Sequence, residues 1–403
     1  MTAGLVPSLD LLPDHLDRDC AGASDLGEEE QERRTQSLVE TVFAARRQFG
    51  ITRLGSLTRL DQGGIAVAQA VRPLSLSNAV SQGKGRRLID AAASALMESL
   101  ETWAAERIDP GRITTARACD LGDEIRSLYA DAIVHGFDVG WDRLPLTWID
   151  GYDLFTRTIR PVPLALVDTV YTYPSPHPVA FPRTTTGLAA AQNLPAAILH
   201  AAFEIIERAS VAAAERNPQR HREWRIDAAS VAGPRASAIL ASLAQADLIT
   251  GIWQVTAGHG LPVYRCQVIE GERHREIAPL PGVGFGCDFT PDRALAKALA
   301  EAAQARLTAV AGAREDLTRS AYPREPDRAQ LAQWRDELRS PAATLPMPAG
   351  REAPASGAPA LAAVAATLKD AGAAAALVVP LFSTDIPKLE VVRLVAPPLR
   401  HFN

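Results

Sequence analysis

Three stretches of the chain share one texture. LIDAAASALMESLETWAAERI, HAAFEIIERAS and ALAKALAEAAQARL are long runs of alanine, leucine and isoleucine, broken at three- and four-residue spacing by acidic or amide side chains. Apolar positions recurring at that period predict helices. In the first, Ser94, Glu98 and Glu101 are offset by four and seven positions, so all three project from one stripe. Glu204 and Glu207 repeat the three-residue spacing in the second, followed at once by Arg208, with His200 on the same stripe; Glu301 and Gln304 repeat it in the third. One such pair reads as a solvated helix face, because exposed glutamates are the norm. The recurrence on three faces that otherwise look buried changes that reading.

The remaining pattern supplies a scaffold. Residues 1 to about 30 are weakly patterned and read as a loose arm, with a helix from Glu28 through Arg47. ITRLGSLTRLDQGGIAVAQAVRP reads as strand, turn and strand, with Asp61–Gly64 as the turn. Ser81-Gln-Gly-Lys-Gly85 reads as a glycine turn leading into the first acidic helix. Residues 110–150 show short mixed elements. Leu146–Ile149 and Ile159–Val167 predict strands with a turn at Gly151. Thr169–Pro182 carries four prolines and must be a loop. A helix and strands over 249–255 and 262–268 follow. Pro281-Gly-Val-Gly-Phe-Gly-Cys287 resembles a glycine-rich nucleotide loop, and Thr290-Pro-Asp292 is a helix N-cap signature. Residues 322–360 read as linker with a short helix near 331–338, ahead of a helix over 361–371 and strands over 374–381 and 389–395.

Composition narrows the class. At 403 residues and 47% hydrophobic content, the chain can build one large or two ordinary domains. A net charge of −5 gives no general attraction to nucleic acid. The four cysteines, Cys20, Cys119, Cys266 and Cys287, are scattered and predict neither a disulfide framework nor a zinc site. Neither a signal peptide nor a stretch of about 20 unbroken apolar residues is evident, so a cytoplasmic chain without membrane association is expected.

Carboxylates converging from several helices repel unless a cation lies among them. Magnesium takes oxygen ligands and accompanies nucleotide phosphates. Lys84 and Arg208 would add cations for phosphate oxygens. Residue chemistry alone therefore suggests ATP with Mg2+.

Four blocks carry a family resemblance: SQGKG; Ser94-x-x-x-Glu98-x-x-Glu101; TTTGLAAAQNLPAAILHAAFEIIER; and ALAEAAQAR. In order and spacing, over about residues 51 to 325, they resemble the YcaO family. The variant SALMESLETWAAE is similar to the subgroup associated with TfuA proteins. The resemblance implies an α/β (α+β) fold, with mixed sheets and Ala-rich helices around a buried nucleotide and magnesium cleft. It implies an arm and helix over 1–50, a catalytic core over 51–325, a linker over 326–360 and a C-terminal helix and strands over 361–403 completing the core. It assigns Glu98, Glu101, Glu204 and Glu207 to Mg2+, and Lys84, Ser94, Arg208, Glu301, Gln304 and Arg306 to the nucleotide. No residue presents itself as a catalytic base.

The implied activity is ATP-dependent O-phosphorylation of a peptide backbone amide. Sulfide then enters with a TfuA-like partner to give a thioamide, or a substrate Cys, Ser or Thr attacks to give an azoline. A precursor peptide is the expected substrate, and a homodimer stays open. Thr186 stands where the family usually has Asn, Ala191 where it has Gly and Ala196 where it has Glu. The tail Ala396–Asn403 lacks the PxPxP signature of many azoline-forming relatives, which fits a divergent or thioamide-forming member better. A catalytically silent member that binds nucleotide or peptide is the rival from another class, and an amide-forming ligase of unrelated design is a third reading.

Overall fold

The computed structural model describes residues 8–22, 27–134, 140–178, 180–216, 224–256, 260–271, 281–319, 322, 328–339, 345–350, 352–385 and 387–399. The end of the tail, 400–403, and parts of the expected linker lie outside the described residues. The fold is mixed α/β with three antiparallel sheets. The first orders β1 (Arg53–Ser56), β2 (Ala66–Val71) and β3 (Val80–Gly85). The second runs β10 (Gly282–Cys287), β9 (Val263–Glu270), β8 (Leu248–Gln254). The third is six-stranded. Its order is β4 (Ile113–Ala116), β5 (Leu146–Asp153), β11 (Leu377–Asp385), β12 (Lys388–Val395) and β7 (Leu188–Ala191), with β6 (Thr158–Pro163) also pairing β5.

The central strands of the third sheet are buried on both faces. Leu377, Val379 and Val391 join one core with α2 (Glu28–Ala44), α3 (Leu88–Ala105) and β2. Val378, Val392 and Leu394 join a second core, with α5 (Leu194–Glu215) and α9 (Ala358–Asp370). Two apolar faces explain why these strands read as continuous hydrophobic runs. A third core unites the second sheet with α6 (Pro234–Gln245) and α7 (Pro291–Ala311). Two short helices, α4 (Asp123–Ala130) and α8 (Arg328–Arg339), pack at the periphery.

Three strand–helix units repeat: β3–α3, β7–α5 and β10–α7. Each helix covers its own strand, which is the last in its sheet, and also touches the strand of another unit: α3 on β7, α5 on β10, α7 on β3. The contacts close a ring, and the ring brings the three acidic faces together. Local signals start each helix. The Arg87 N–H donates to Asp90 Oδ2 at 3.1 Å, Asn193 accepts from Ala196 N at 2.9 Å and Thr290 accepts from Arg293 N at 3.4 Å.

Two glycine segments differ from expectation. Ser81–Gly85 is not a turn but most of β3, and 282–287 is not a loop but β10. A Cβ on Gly83 would sit 2.1 Å from Ala95 N and 2.3 Å from Ala91 O. One on Gly284 would sit 2.2 Å from Ala302 N and 2.3 Å from Ala298 O. Glycine on the strand and alanine on the helix let the two backbones touch, which larger residues would forbid. Gly151 likewise lies inside β5, and the turn comes at 154–157. The N-terminal arm contains a helix, α1 (Leu12–Ala21), whose Leu12 is buried. The hairpin around Asp61–Gly64 and the Thr290 cap are as expected. All four cysteines are unpaired. Among the described residues no helix is long and apolar enough to cross a membrane.

Candidate active site

The ring places five glutamates in one electrostatic cluster: Glu98 and Glu101 from α3, Glu204 and Glu207 from α5, and Glu301 from α7. Four of them accept a backbone N–H, three from a strand and one from the residue just before β7. Glu98 Oε2 accepts from Gln82 N at 3.3 Å, 16 residues back, and Glu301 Oε1 from Phe285 N at 3.4 Å, also 16 back. Glu204 Oε2 accepts from Gly187 N at 3.0 Å, 17 back. Gly187 has φ +85°, a left-handed conformation that suits glycine. Glu101 Oε1 crosses to another unit and accepts from Ala190 N at 2.8 Å. The recurring separation is the structural counterpart of the recurring sequence texture.

Burial and mutual repulsion mark the cluster. Burial pushes the Glu98 carboxyl up to about 7, against the pull of Arg314, Lys84 and the Gln82 N–H and with a push from Glu204. Burial and then the neighbouring Glu98 hold Glu101 well above the usual carboxylate range. Burial raises Glu204. Burial followed by Glu301 takes Glu207 up to about 8. Burial opposes the charge on Arg208, yet Glu207, Glu204 and Glu301 together keep it above its ordinary value. In all four, burial is the leading cause and a neighbouring carboxylate adds to it.

Lys84 donates to Glu301 Oε2 at 3.0 Å, so the β3 lysine meets the α7 acid. Arg208 lies over the Phe285 ring, 5.7 Å from its centroid, and 3.8 Å from Glu207. Gln304 Nε2 donates to Gln82 O at 2.9 Å, tying α7 to β3. Ser94 is half-buried on α3, one turn before Glu98. Arg306 is not brought to the cluster. It is buried, 3.0 Å from Asp61 and 2.9 Å from Glu270, and fastens the Asp61–Gly64 turn to the second sheet. His200 is exposed on α5, one turn before Glu204. Thr186 is buried, its N–H bonded to Thr184 Oγ1 at 3.1 Å, while Ala196 is half-buried in the first turn of α5.

Two arginines escaped the sequence reading. Arg314, just beyond α7, draws the Glu98 titration downward and is bidentate to Asp316. Arg393, buried in β12, influences Glu204 and donates to Leu166 O at 2.9 Å and Thr184 O at 2.7 Å. Neither sits in an acidic helix, and no spacing signal marked them.

The donor set suits hard cations and phosphate: carboxylates, one hydroxyl, one amide and flanking Lys and Arg. Among the described residues no three of these glutamates bring their oxygens within 4.8 Å of one another. A depression of about 570 Å³ lined by Leu11, Asp14, Asp17, Arg18 and Ala21 lies beside α1, and among the described residues a nucleotide-shaped cleft is not outlined at the cluster.

Comparison with known proteins agrees with this architecture. A family model described as YcaO cyclodehydratase, ATP- and Mg2+-binding, matches residues 82–400. An uncharacterized protein from the tfuA 3' region of Rhizobium leguminosarum bv. trifolii is 33% identical over 324 residues, 78% of this chain and 75% of that protein. The structure of YcaO from Methanopyrus kandleri bound with AMPPCP and Mg2+ superposes with a TM-score of 0.65 at 22% identity, covering 90% of each chain. A heterocyclase in complex with substrate and cofactor also gives 0.65, at 19% identity, covering 91% of this chain and 52% of that one.

Proposed function

The chain belongs to the YcaO family, a family of ATP- and Mg2+-binding proteins, and from that premise we propose that it activates a peptide backbone amide by ATP-dependent O-phosphorylation and forms a thioamide. The observation that carries the reading is the convergence of Glu98, Glu101, Glu204, Glu207 and Glu301 from three helices, with four of their carboxyls shifted upward. An amide carbon is a poor electrophile because resonance holds it. ATP supplies the phosphoryl group that turns the amide oxygen into a leaving group, and Mg2+ offsets its charge. The chain's own residues position and neutralise. Glu98, Glu101, Glu204 and Glu207 would hold the metal, Ser94 and Gln304 would hydrogen-bond the nucleotide, and Lys84 and Arg208 would meet phosphate oxygens. Glu301 keeps Lys84 extended toward the cluster.

Sulfide then adds to the activated carbon. The new C–S bond becomes the thioamide C=S, and the old C–O bond breaks with the oxygen leaving on phosphate. The relative from a tfuA region supports sulfur insertion, with a TfuA-like protein as the partner that delivers sulfide. The family description as cyclodehydratase and the heterocyclase likeness favour a second reading, in which a substrate Cys, Ser or Thr attacks instead and an azoline forms.

Mass spectrometry separates them, because exchanging oxygen for sulfur adds about 16 Da whereas ring closure loses about 18 Da. Incubation with ATP, Mg2+, sulfide, a TfuA-like protein and the cognate peptide is expected to give the gain. A loss of water would transfer the assignment to the azoline. An unchanged peptide mass with saturable nucleotide binding would identify a silent binder.

A further inference from the structure

Outside the cluster, His15 and Asp19 on α1 meet Glu390 on β12. One ligand atom from each lies within 4.8 Å of the others. His15 Nε2 is 3.7 Å from Asp19 Oδ2 and 3.5 Å from Glu390 Oε1. Both distances exceed those of a charge-assisted hydrogen bond, about 2.7–2.9 Å. They match another geometry: ligands about 2.1 Å from one tetrahedral ion stand roughly 3.4 Å apart. We propose that His15, Asp19 and Glu390 form a binding site for a zinc-class divalent cation that clips the N-terminal helix to the C-terminal strand.

Three features support it. The ligand types, one imidazole and two carboxylates, suit a borderline divalent ion better than Mg2+, which favours all-oxygen sites. His15 and Asp19 are four apart on one helix, so they share a face. Outer contacts also hold the carboxylates. Asp19 Oδ2 accepts from Leu194 N at 3.0 Å, Asp19 Oδ1 accepts from Lys388 Nζ, and Glu390 Oε1 accepts from Ser383 Oγ at 2.9 Å. Such second-layer bonds orient metal ligands while leaving a lone pair for the ion. Asp19 and Glu390 are both buried, and His15 is nearly so, at 18% side-chain exposure. The clip joins a helix lying before the family-matched segment to a strand within it, fixing α1 beside the start of α5.

The test uses the full-length chain. The protein is stripped with chelator and loaded with Zn2+, with excess Mg2+ and ADP added as competitors for the glutamate cluster. It is then desalted and its metal content measured by mass spectrometry, with melting followed in parallel. The site predicts about one retained zinc per chain and a raised melting temperature, both lost in His15→Ala and in Glu390→Gln. Glu390→Gln keeps the Ser383 hydrogen bond, so it decides the matter if His15→Ala folds poorly. Failure of the wild type to retain zinc, or equal retention by both variants, overturns the proposal. Neither outcome bears on amide activation.

Discussion

Glu101 and Ala190 are 89 residues apart in sequence, and the Glu101 carboxylate accepts the Ala190 backbone N–H at 2.8 Å. The bond joins the first acidic helix to the edge strand that precedes the second. It is one of the links by which three separate strand–helix units become a single site. Because the glutamate ties structure and site together, its amide isostere is the informative substitution: glutamine can still accept the Ala190 N–H but cannot carry charge.

The raised carboxyls predict a falling stability of the metal-free protein with pH. Glu98 at about 7 and Glu207 at about 8 stand above the unfolded value of about 4.3. Between those values the folded chain holds protons that the unfolded chain has released, so stability drops as pH rises. Their contribution is complete below about pH 4.3 and gone above about pH 8. Mg2+ needs the ionised groups, so the stabilisation it adds should grow over the same window. Melting curves with and without Mg2+ between about pH 5 and about pH 9 check both slopes. A flat metal-free profile, or an Mg2+ effect that shrinks as pH rises, contradicts the cluster's electrostatics.

Gly284→Ala tests whether the 282–287 glycines serve packing or nucleotide. Its Cβ would press on the Ala298 and Ala302 backbone, so a loss on the order of 3 kcal/mol is expected from overpacking. Chemical denaturation measures it. Unchanged stability with lost nucleotide affinity would restore the loop reading.

Arg314→Ala should weaken nucleotide binding with little effect on folding. The arginine opposes the rise in the Glu98 pKa and is only partly buried, at 27% side-chain exposure. Its removal should make Glu98 harder to ionise and raise the KM for ATP about 10-fold, equivalent to about 1.4 kcal/mol. A steady-state titration of ATP at fixed pH reads this directly, and an unaltered KM would remove Arg314 from the site.

Deleting Leu399–Asn403 should cost less turnover than Glu101→Gln. Leu399 packs against the second core, but the segment carries none of the clustered glutamates. Abolished turnover in a folded deletion variant would assign the tail a role in ordering the site.

The acidic helices were legible because a three-residue spacing in an apolar run has one geometric meaning. Their strand partners were not. Glycine looks the same in sequence whether it makes a turn or lets a helix backbone approach, so the sequence of β3 suggests a turn and that of β10 a loop. Helix α1 escaped because its pattern is short and largely polar, and its docking depends on Asp19 meeting Lys388 and Leu194 N from distant segments. Arg306 shares the sequence block with Gln304, but a two-residue step on a helix turns it to another face, where it meets Asp61 and Glu270. Arg314 and Arg393 reach the glutamates only through tertiary packing.

The central claim is that the three-helix glutamate cluster holds Mg2+ and ATP. Calorimetric titration with a non-hydrolysable ATP analogue, with and without Mg2+, tests it on the wild type, Glu101→Gln and Glu207→Gln. The account predicts Mg2+-dependent binding to the wild type, weakened at least about 100-fold in both variants while their melting transitions stay cooperative. Equal affinity in all three proteins, or binding indifferent to Mg2+, would contradict it.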